Sequence, residues 1–350
     1  MAPSALTLNF DALLSTTLFK WSKDLADEIT TANAFYYVLR KSGAYQTLGS
    51  IGQRAAFPLM YQLGTADWYS GYDVLDVTPM EGITAAFYDW RQLSVPITIS
   101  GDEELKNAGE EQIIALLDAK ATQAEMGIKT GFNQALLQGN GGTAITSAKV
   151  GILNPASVGI DPLALQVAYD PTTSTSIGNI NQNLNSWWQN KTKNSTSTTY
   201  AGFLKEMRSL RNNCGKGPGG YPDLNIVDQA TYELYEAALA AAHRNPSYES
   251  ADIPFDNIAF HKKPVTWDEY VPDVQGGSAT QSATSGTWWM LNTKFWGIKV
   301  HASRDFSTTP FLKPIDQDAK TAHILWYGAM GCSNRRKQGV AGGIDTTIAS

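Results

Sequence analysis

The chain has few cysteines, little charge and no long apolar run. Only Cys214 and Cys332 are present in 350 residues. They stand far apart and outside any paired-cysteine motif, which argues against a disulfide-stapled scaffold and fits reduced thiols. Charged residues make up 17% of the chain and the net charge is -6 at pH 7. A protein that grips nucleic acid through many phosphates carries the opposite sign, so any contact with a genome must be local. No stretch approaches the roughly 18 consecutive apolar residues of a membrane span. The opening segment MAPSALTLNFDALLSTTLFKWSKDLADEIT has neither the basic start nor the apolar run of a signal peptide. The expectation is therefore a product that is neither anchored in a membrane nor secreted by that route. In that setting Asn190-Lys191-Thr192 and Asn194-Ser195-Thr196 read as a polar loop and not as glycosylation acceptors.

Catalytic constellations are lacking as well. His243, His261, His301 and His323 stand singly, with no HExxH pattern and no paired cysteine to complete a metal site. Gly215 to Gly220 is glycine-rich, yet Lys216 is followed by glycine where a phosphate loop needs Ser or Thr. No GxSxG elbow occurs, and the pairs Glu103/Glu104 and Glu110/Glu111 fall at helix starts, where the helix dipole favours negative charge. The sequence thus calls for no enzyme activity, no metal and no cofactor.

What is present is 43% hydrophobic residues, enough to fill a core. Residues 1–30 read as an arm, and residues 31–42 as a short helix ending at Gly43. From Gln46 to Ser100 the chain has strand-and-turn composition. Leu93, Val95, Ile97 and Ile99 share one strand face while Tyr88 and Trp90 have the opposite parity, which predicts a bulge or a change of partner. Pro96 places that strand at a sheet edge. Ser100 with Glu103, and Asn107 with Glu110, form capping boxes. Ile113, Leu117, Ala121, Ala124, Ile128, Phe132 and Ala135 then recur at helical spacing. The spacing predicts a helix from Glu110 to Leu137, with Gly127 and Gly131 reading as points of close approach to a neighbouring backbone. Residues 143–200 are rich in Ser, Thr, Asn and Gly, with a short element between Ile177 and Trp188. A helix over Tyr200–Asn213 and a strand, Asp228 cap and helix in PDLNIVDQATYELYEAALAAAHR follow. Strand-like runs return over 255–271, and TWWMLNTKFWGIKVHAS and AKTAHILWYGAMGCSNRRKQGVAGGI read as long strands.

Aromatics are the richest signal. Trp68, Tyr69, Tyr72, Phe87, Tyr88 and Trp90 crowd a ribbon that, read as a thin hairpin, has no interior of its own. They predict burial against another subunit, where aromatics are enriched. Arg91 beside Trp90 reads either as a stacking or ion-pairing residue there or as a solvated arginine. Trp288, Trp289 and Trp296 read as core. Asn334, Arg335, Arg336 and Lys337 form the one dense basic cluster, with two readings: a solvated strand end, or a local phosphate or intersubunit acidic contact.

The order of these pieces carries a resemblance. An arm, a ribbon containing GYDVLDVTPMEGITAAFYDWRQL, ITISGDEELKN, a long helix, PDLNIVDQATYELYEAA and ILWYGAMGCSNRRKQGV together resemble a tailed-bacteriophage major capsid protein with the Hong Kong 97-type fold. The resemblance implies an α+β chain divided into an N-terminal arm and short helix (1–45), an extended E-loop hairpin (46–100), the spine helix of a peripheral domain (101–149), a mixed α/β axial domain (150–285) and returning peripheral strands (286–350). It implies self-assembly into the hexamers and pentamers of an icosahedral head enclosing double-stranded DNA in the virion, after synthesis in the host cytoplasm. Trp68, Tyr72, Phe87, Tyr88, Trp90 and Arg91 become intersubunit contacts, and a scaffolding protein, a portal and a cement or decoration protein become partners. Some members weld the shell by an isopeptide bond from an E-loop lysine. Between Lys41 and Lys106 this chain has no lysine, so the expectation is a shell without that cross-link, in which Trp90→Ala impairs assembly and spares the fold. Alternatives are an encapsulin-like compartment and a carbohydrate-binding surface protein using its tandem tryptophans.

Overall fold

In the computed structural model, residues 33–348 are described except for 51, 65, 76–77, 80, 107–109, 139–158, 173–175, 242–257, 276–283 and 316–317. The expected arm and Asn107 of the second capping box thus lie outside the described residues, as do the side chains of Ile113 and Leu117.

Helix α1 (Ala34–Lys41) starts at Asn33, whose side-chain oxygen accepts from the Tyr36 N–H at 2.9 Å, and Gly43 at φ +73° turns the chain out of it. Strand β1 (Tyr45–Leu48) follows, then the hairpin of β2 (Ala55–Met60) and β3 (Ile83–Tyr88), in register from Ala55↔Tyr88 to Met60↔Ile83. Strand β4 (Arg91–Ser100) leaves that hairpin for a different partner. The parity change at Tyr88–Trp90 is this change of sheet: Ala86 and Tyr88 are buried in β3, whereas Ile97 and Ile99 are buried in β4.

The Ser100 box is reciprocal. The Glu103 N–H donates to Ser100 Oγ and the Ser100 N–H to Glu103 Oε2, each at 3.2 Å, starting α2 (Gly101–Lys106). Helix α3 (Glu110–Leu137) spans 28 residues, about 42 Å at ~1.5 Å per residue. Its apolar face is Ala121, Ala124, Ile128 and Phe132, all buried. Phe132 meets Tyr36, Phe306 and Trp326 edge-on, with ring centroids 5.2, 5.4 and 5.2 Å away. Among the described residues nothing approaches Gly127 or Gly131: a Cβ at either would meet nothing within 4 Å.

Helix α4 (Leu163–Gln166), the small pair β5 (Ser176–Ile177) and β6 (Ile180–Asn181), and β7 (Lys191–Asn194) occupy the Ser/Thr-rich middle. Then come α5 (Tyr200–Gly215), β8 (Leu224–Val227), α6 (Gln229–Ala241), β9 (Ile258–Phe260), β10 (Lys263–Trp267), β11 (Ser285–Leu291), β12 (Trp296–His301), β13 (Ser307–Thr308), β14 (Ala319–Cys332) and β15 (Gly339–Asp345). As its sequence predicts, α6 is capped by Asp228, whose carboxylate accepts from the Thr231 N–H at 3.2 Å.

Two main sheets result. One runs β1-β12-β14-β13, with β4 pairing β14 along its length and no other strand among the described residues, so Pro96 does lie on an edge strand there. The other runs β7-β15-β11-β8-β10-β9. This pairing redraws the boundary expected at 285/286. β11 and β15 belong to the six-stranded sheet beside β8, while β12 to β14 build the first sheet, so the chain crosses between the two after Leu291 and again after Cys332. Each sequence read as one long strand is accordingly two, separated by a 3-10 turn at Thr293–Phe295 or Arg335–Lys337.

Candidate functional site

The hairpin β2–β3 divides into a root and a tip of opposite character. At the root, Ala55, Phe57, Leu59, Ala86 and Tyr88 are buried with Leu165, Ile177, Trp188 and Ala329 of the same chain. Phe57 and Tyr88 meet edge-on at 5.4 Å, and the Tyr88 hydroxyl lies 3.4 Å from both the carbonyl and the N–H of Cys332. Gly331 makes this possible, since a Cβ there would come within 2.6 Å of both rings. The Phe87 N–H donates to the Gly178 carbonyl at 3.0 Å, tying the hairpin to the β5–β6 turn.

Beyond Met60 the regular pairing stops. The Tyr61 N–H still donates to Gly82, and Ser70 and Asp73 close a turn in which the Ser70 N–H donates to the Asp73 carboxylate at 2.7 Å. Trp68, Tyr72 and Val74 are fully exposed, and Met60, Leu63, Tyr69, Leu75 and Ile83 more than half so. Large exposed apolar patches are rare on soluble monomers and commonly mark interaction sites.

The structure therefore separates the expected contact residues. Trp68 and Tyr72 lie on the open tip, and Phe87 is 43% exposed on the outer face of β3. Tyr88, at 2% exposure, is core of its own chain, which corrects its assignment to an intersubunit contact. Trp90 is half-buried, stacks on Tyr327 with ring planes 15° apart, and donates from Nε1 to the Gly52 carbonyl at 2.9 Å. Trp90→Ala thus removes an internal contact in addition to whatever the ring offers a neighbour. Arg91 stands 3.8 Å from Asp89, which Arg54 holds at 3.0 Å. Burial raises the Asp161 carboxyl above its ordinary range; Arg91 opposes that rise and Asp89 adds to it.

The basic cluster comes apart in the same way. Arg335 is fully buried. Its Nε donates to the Gln166 carbonyl at 2.7 Å, Nη1 to Gln182 Oε1 and the Trp188 carbonyl at 3.0 Å each, and Nη2 to Asn190 Oδ1 at 3.1 Å. The guanidinium also lies 5.7 Å from the Trp188 ring centroid. Burial pushes its pKa down to about 10, so it remains charged at neutral pH. Lys337 donates to the carbonyls of Lys216 and Gly217 at 2.9 and 3.0 Å, pinning the glycine turn. Neither residue is open to a phosphate or to another chain; Arg336 alone is exposed. Gln166, Gln182 and Asn190 escaped the sequence reading because they lie 145 to 169 residues away along the chain.

One cleft, of about 530 Å³, is lined by Ser42, Phe57, Trp296 and Lys299, and the Lys299 ammonium is already engaged with the Ala56 carbonyl at 2.5 Å and the Phe57 ring at 4.6 Å. Among the described residues no three His, Cys, Asp or Glu gather as for a metal ion, and Cys214 and Cys332 are buried free thiols. No helix among them is long and apolar enough to cross a membrane.

No family model and no curated protein matches the sequence. Solved structures do match. The chain is similar to the capsid asymmetric unit of cyanophage A-1(L), at 12% identity and TM-score 0.61, over 85% of this chain and 90% of that one. It is similar to the holo-SrpI encapsulin complex from Synechococcus elongatus PCC 7942, at 8% identity and TM-score 0.53 over 87% and 86%. The capsid of Myoviridae phage XM1 follows at 10% identity and TM-score 0.50, over 87% and 92%.

The chain has the Hong Kong 97-type capsid fold.

At these identities the likeness is one of fold. Along the chain the hairpin β2–β3 precedes the long helix α3, and the strands of the six-stranded sheet follow it.

Proposed function

We propose that this chain is the major subunit of a bacteriophage head, tiling a closed icosahedral shell in hexamers and pentamers around double-stranded DNA. The observation that carries the reading is the apolar hairpin tip, uncovered by its own subunit and held on a folded root. A two-stranded ribbon with such a surface is stabilised by lying on a neighbour. Copies related by closed symmetry supply that neighbour, and contacts to several copies sum well beyond the ~1,600 Å² of a standard pairwise interface. In this reading 46–100 is the E-loop, α3 the spine of the peripheral domain and the six-stranded sheet the axial domain. Trp68, Tyr72 and Phe87 make the intersubunit contacts.

The E-loop holds its neighbour by packing and pairing, since residues 42–105 contain no lysine for an isopeptide bond. Scaffolding, portal and cement or decoration proteins are the expected partners, and the packaged DNA meets the acidic shell by weak local contact. The similarity to an encapsulin complex favours a second reading, a compartment for a protein cargo. Electron microscopy of the expressed chain is expected to show closed shells or capsomer rings, with nucleic acid and not a cargo protein inside native particles. A dispersed monomer at high concentration would reject both readings.

A further inference from the structure

The hairpin tip is acidic as well as aromatic. Residues 55–90 include Asp67, Asp73, Asp76, Glu81 and Asp89 and not one Lys, Arg or His. Asp67, Asp73 and Glu81 are exposed, and none has a cationic partner among the described residues. The surface that receives this tip must therefore offer positive charge beside apolar area.

One face of the same chain does so. Arg208 is exposed on α5, and Arg211 lies one turn on, its guanidinium over the Tyr221 ring at 4.3 Å from the centroid. Arg211 Nε is buried with no partner, while Tyr221 itself is half exposed. The β9–β10 turn adds His261, Lys262 and Lys263, all exposed. The turn lies close to α5: Phe260, next to His261, meets the Trp288 ring at 5.6 Å between centroids, and Phe203 of α5 meets the same ring at 6.0 Å. Among the described residues none of Arg208, Arg211, Lys262 and Lys263 pairs with a carboxylate.

The turn's backbone strengthens the case. With Phe260 opposite Lys263, a two-residue connection needs positive φ at both central positions, where Asn and Gly are at ease. His261 and Lys262 occupy them at φ +48° and +63°. Such strain points to a role for the side chains that incur it.

We propose that the face formed by α5 and the β9–β10 turn receives the hairpin tip of a neighbouring copy, with Asp67, Asp73 and Glu81 of one chain opposite Arg208, Arg211 and Lys263 of the next. The proposal rests on the assembly reading above and names the receptor surface that reading leaves open. Arg and Tyr are the residues that interfaces favour, and complementary charge fixes which patch meets which.

Charge exchange tests it. D67K/E81K and R208E/K263E, each confirmed as folded by circular dichroism and an unchanged melting temperature, are each expected to lower the yield of shells by about tenfold or more, because like charges then face each other across the contact. The four substitutions combined are expected to restore the yield to within about twofold. Wild-type assembly by R208E/K263E would overturn the proposal. If those intact shells had instead lost their copurifying nucleic acid, the patch would be a phosphate site and the proposal would again fall. A folded combined variant that stays unassembled would overturn it too. A wild-type chain that makes no shell would remove the assembly reading and this proposal together.

Discussion

Arg335 shows how far a residue's role can lie from its composition. In sequence it is one of three consecutive basic residues; in space it is a fully buried fork holding α4, the turn at Ser186–Trp188 and Asn190 against the β14–β15 junction. Its partners are carbonyl and amide oxygens, so the cation is satisfied by dipoles without a carboxylate. Lysine cannot reproduce that fork. Arg335→Lys is expected to lower stability by about 3 kcal/mol or more, read as a shift in the denaturant midpoint, because it leaves buried acceptors unpaired. Asp161 makes the complementary case. Its folded pKa is raised, so ionisation disfavours the folded state at neutral pH, and stability rises as pH falls through the raised value towards the unfolded one near 3.9. Asp161→Asn is expected to stabilise the protein at neutral pH, with the gain vanishing once the wild-type carboxyl is protonated in both states. Thermal melts across pH 3–7 check this.

Among the elements, α3 departs from its sequence reading in an instructive way. Its buried stripe was legible, because Ala121, Ala124, Ile128 and Phe132 recur at helical spacing. The two glycines stand out in the sequence as points of close approach to a neighbouring backbone, and among the described residues of the subunit nothing approaches them. A methyl group at Gly127 or Gly131 meets open space, so within the subunit each glycine only weakens the helix. Gly127→Ala and Gly131→Ala are each expected to stabilise the isolated subunit by about 1 kcal/mol in denaturant melts. A destabilised subunit would mean that the chain itself covers this face. The hairpin behaves similarly. Parity located the switch between β3 and β4, but Tyr88 and the exposed tip aromatics carry the same composition, and only the packing of Gly331 and Trp188 against the root tells them apart.

At the scale of the molecule, the proposed function places stability and assembly in separable parts of one ribbon. Trp68→Ala with Tyr72→Ala removes fully exposed side chains, so the melting temperature is expected to hold while shell yield collapses. Tyr88→Ala opens a cavity in the root and is expected to cost about 3–5 kcal/mol. Equal loss of stability in the two variants would return the tip to the subunit's own core.

The sequence by itself determined the local structure: the Ser100–Glu103 box, the Asp228 cap, the edge strand at Pro96, the length of α3 and the order of elements that resembles a capsid subunit. These follow from neighbours along the chain, where period, capping and turn chemistry act within a few residues. Tertiary structure alone decided which strands share a sheet, so that β11 and β15 joined β8 across an expected boundary. It alone buried Arg335 and Lys337 and left Trp68 and Tyr72 open. Those outcomes depend on partners up to 169 residues away, and whether a side chain is buried or exposed is a property of what packs against it, which no window of sequence contains.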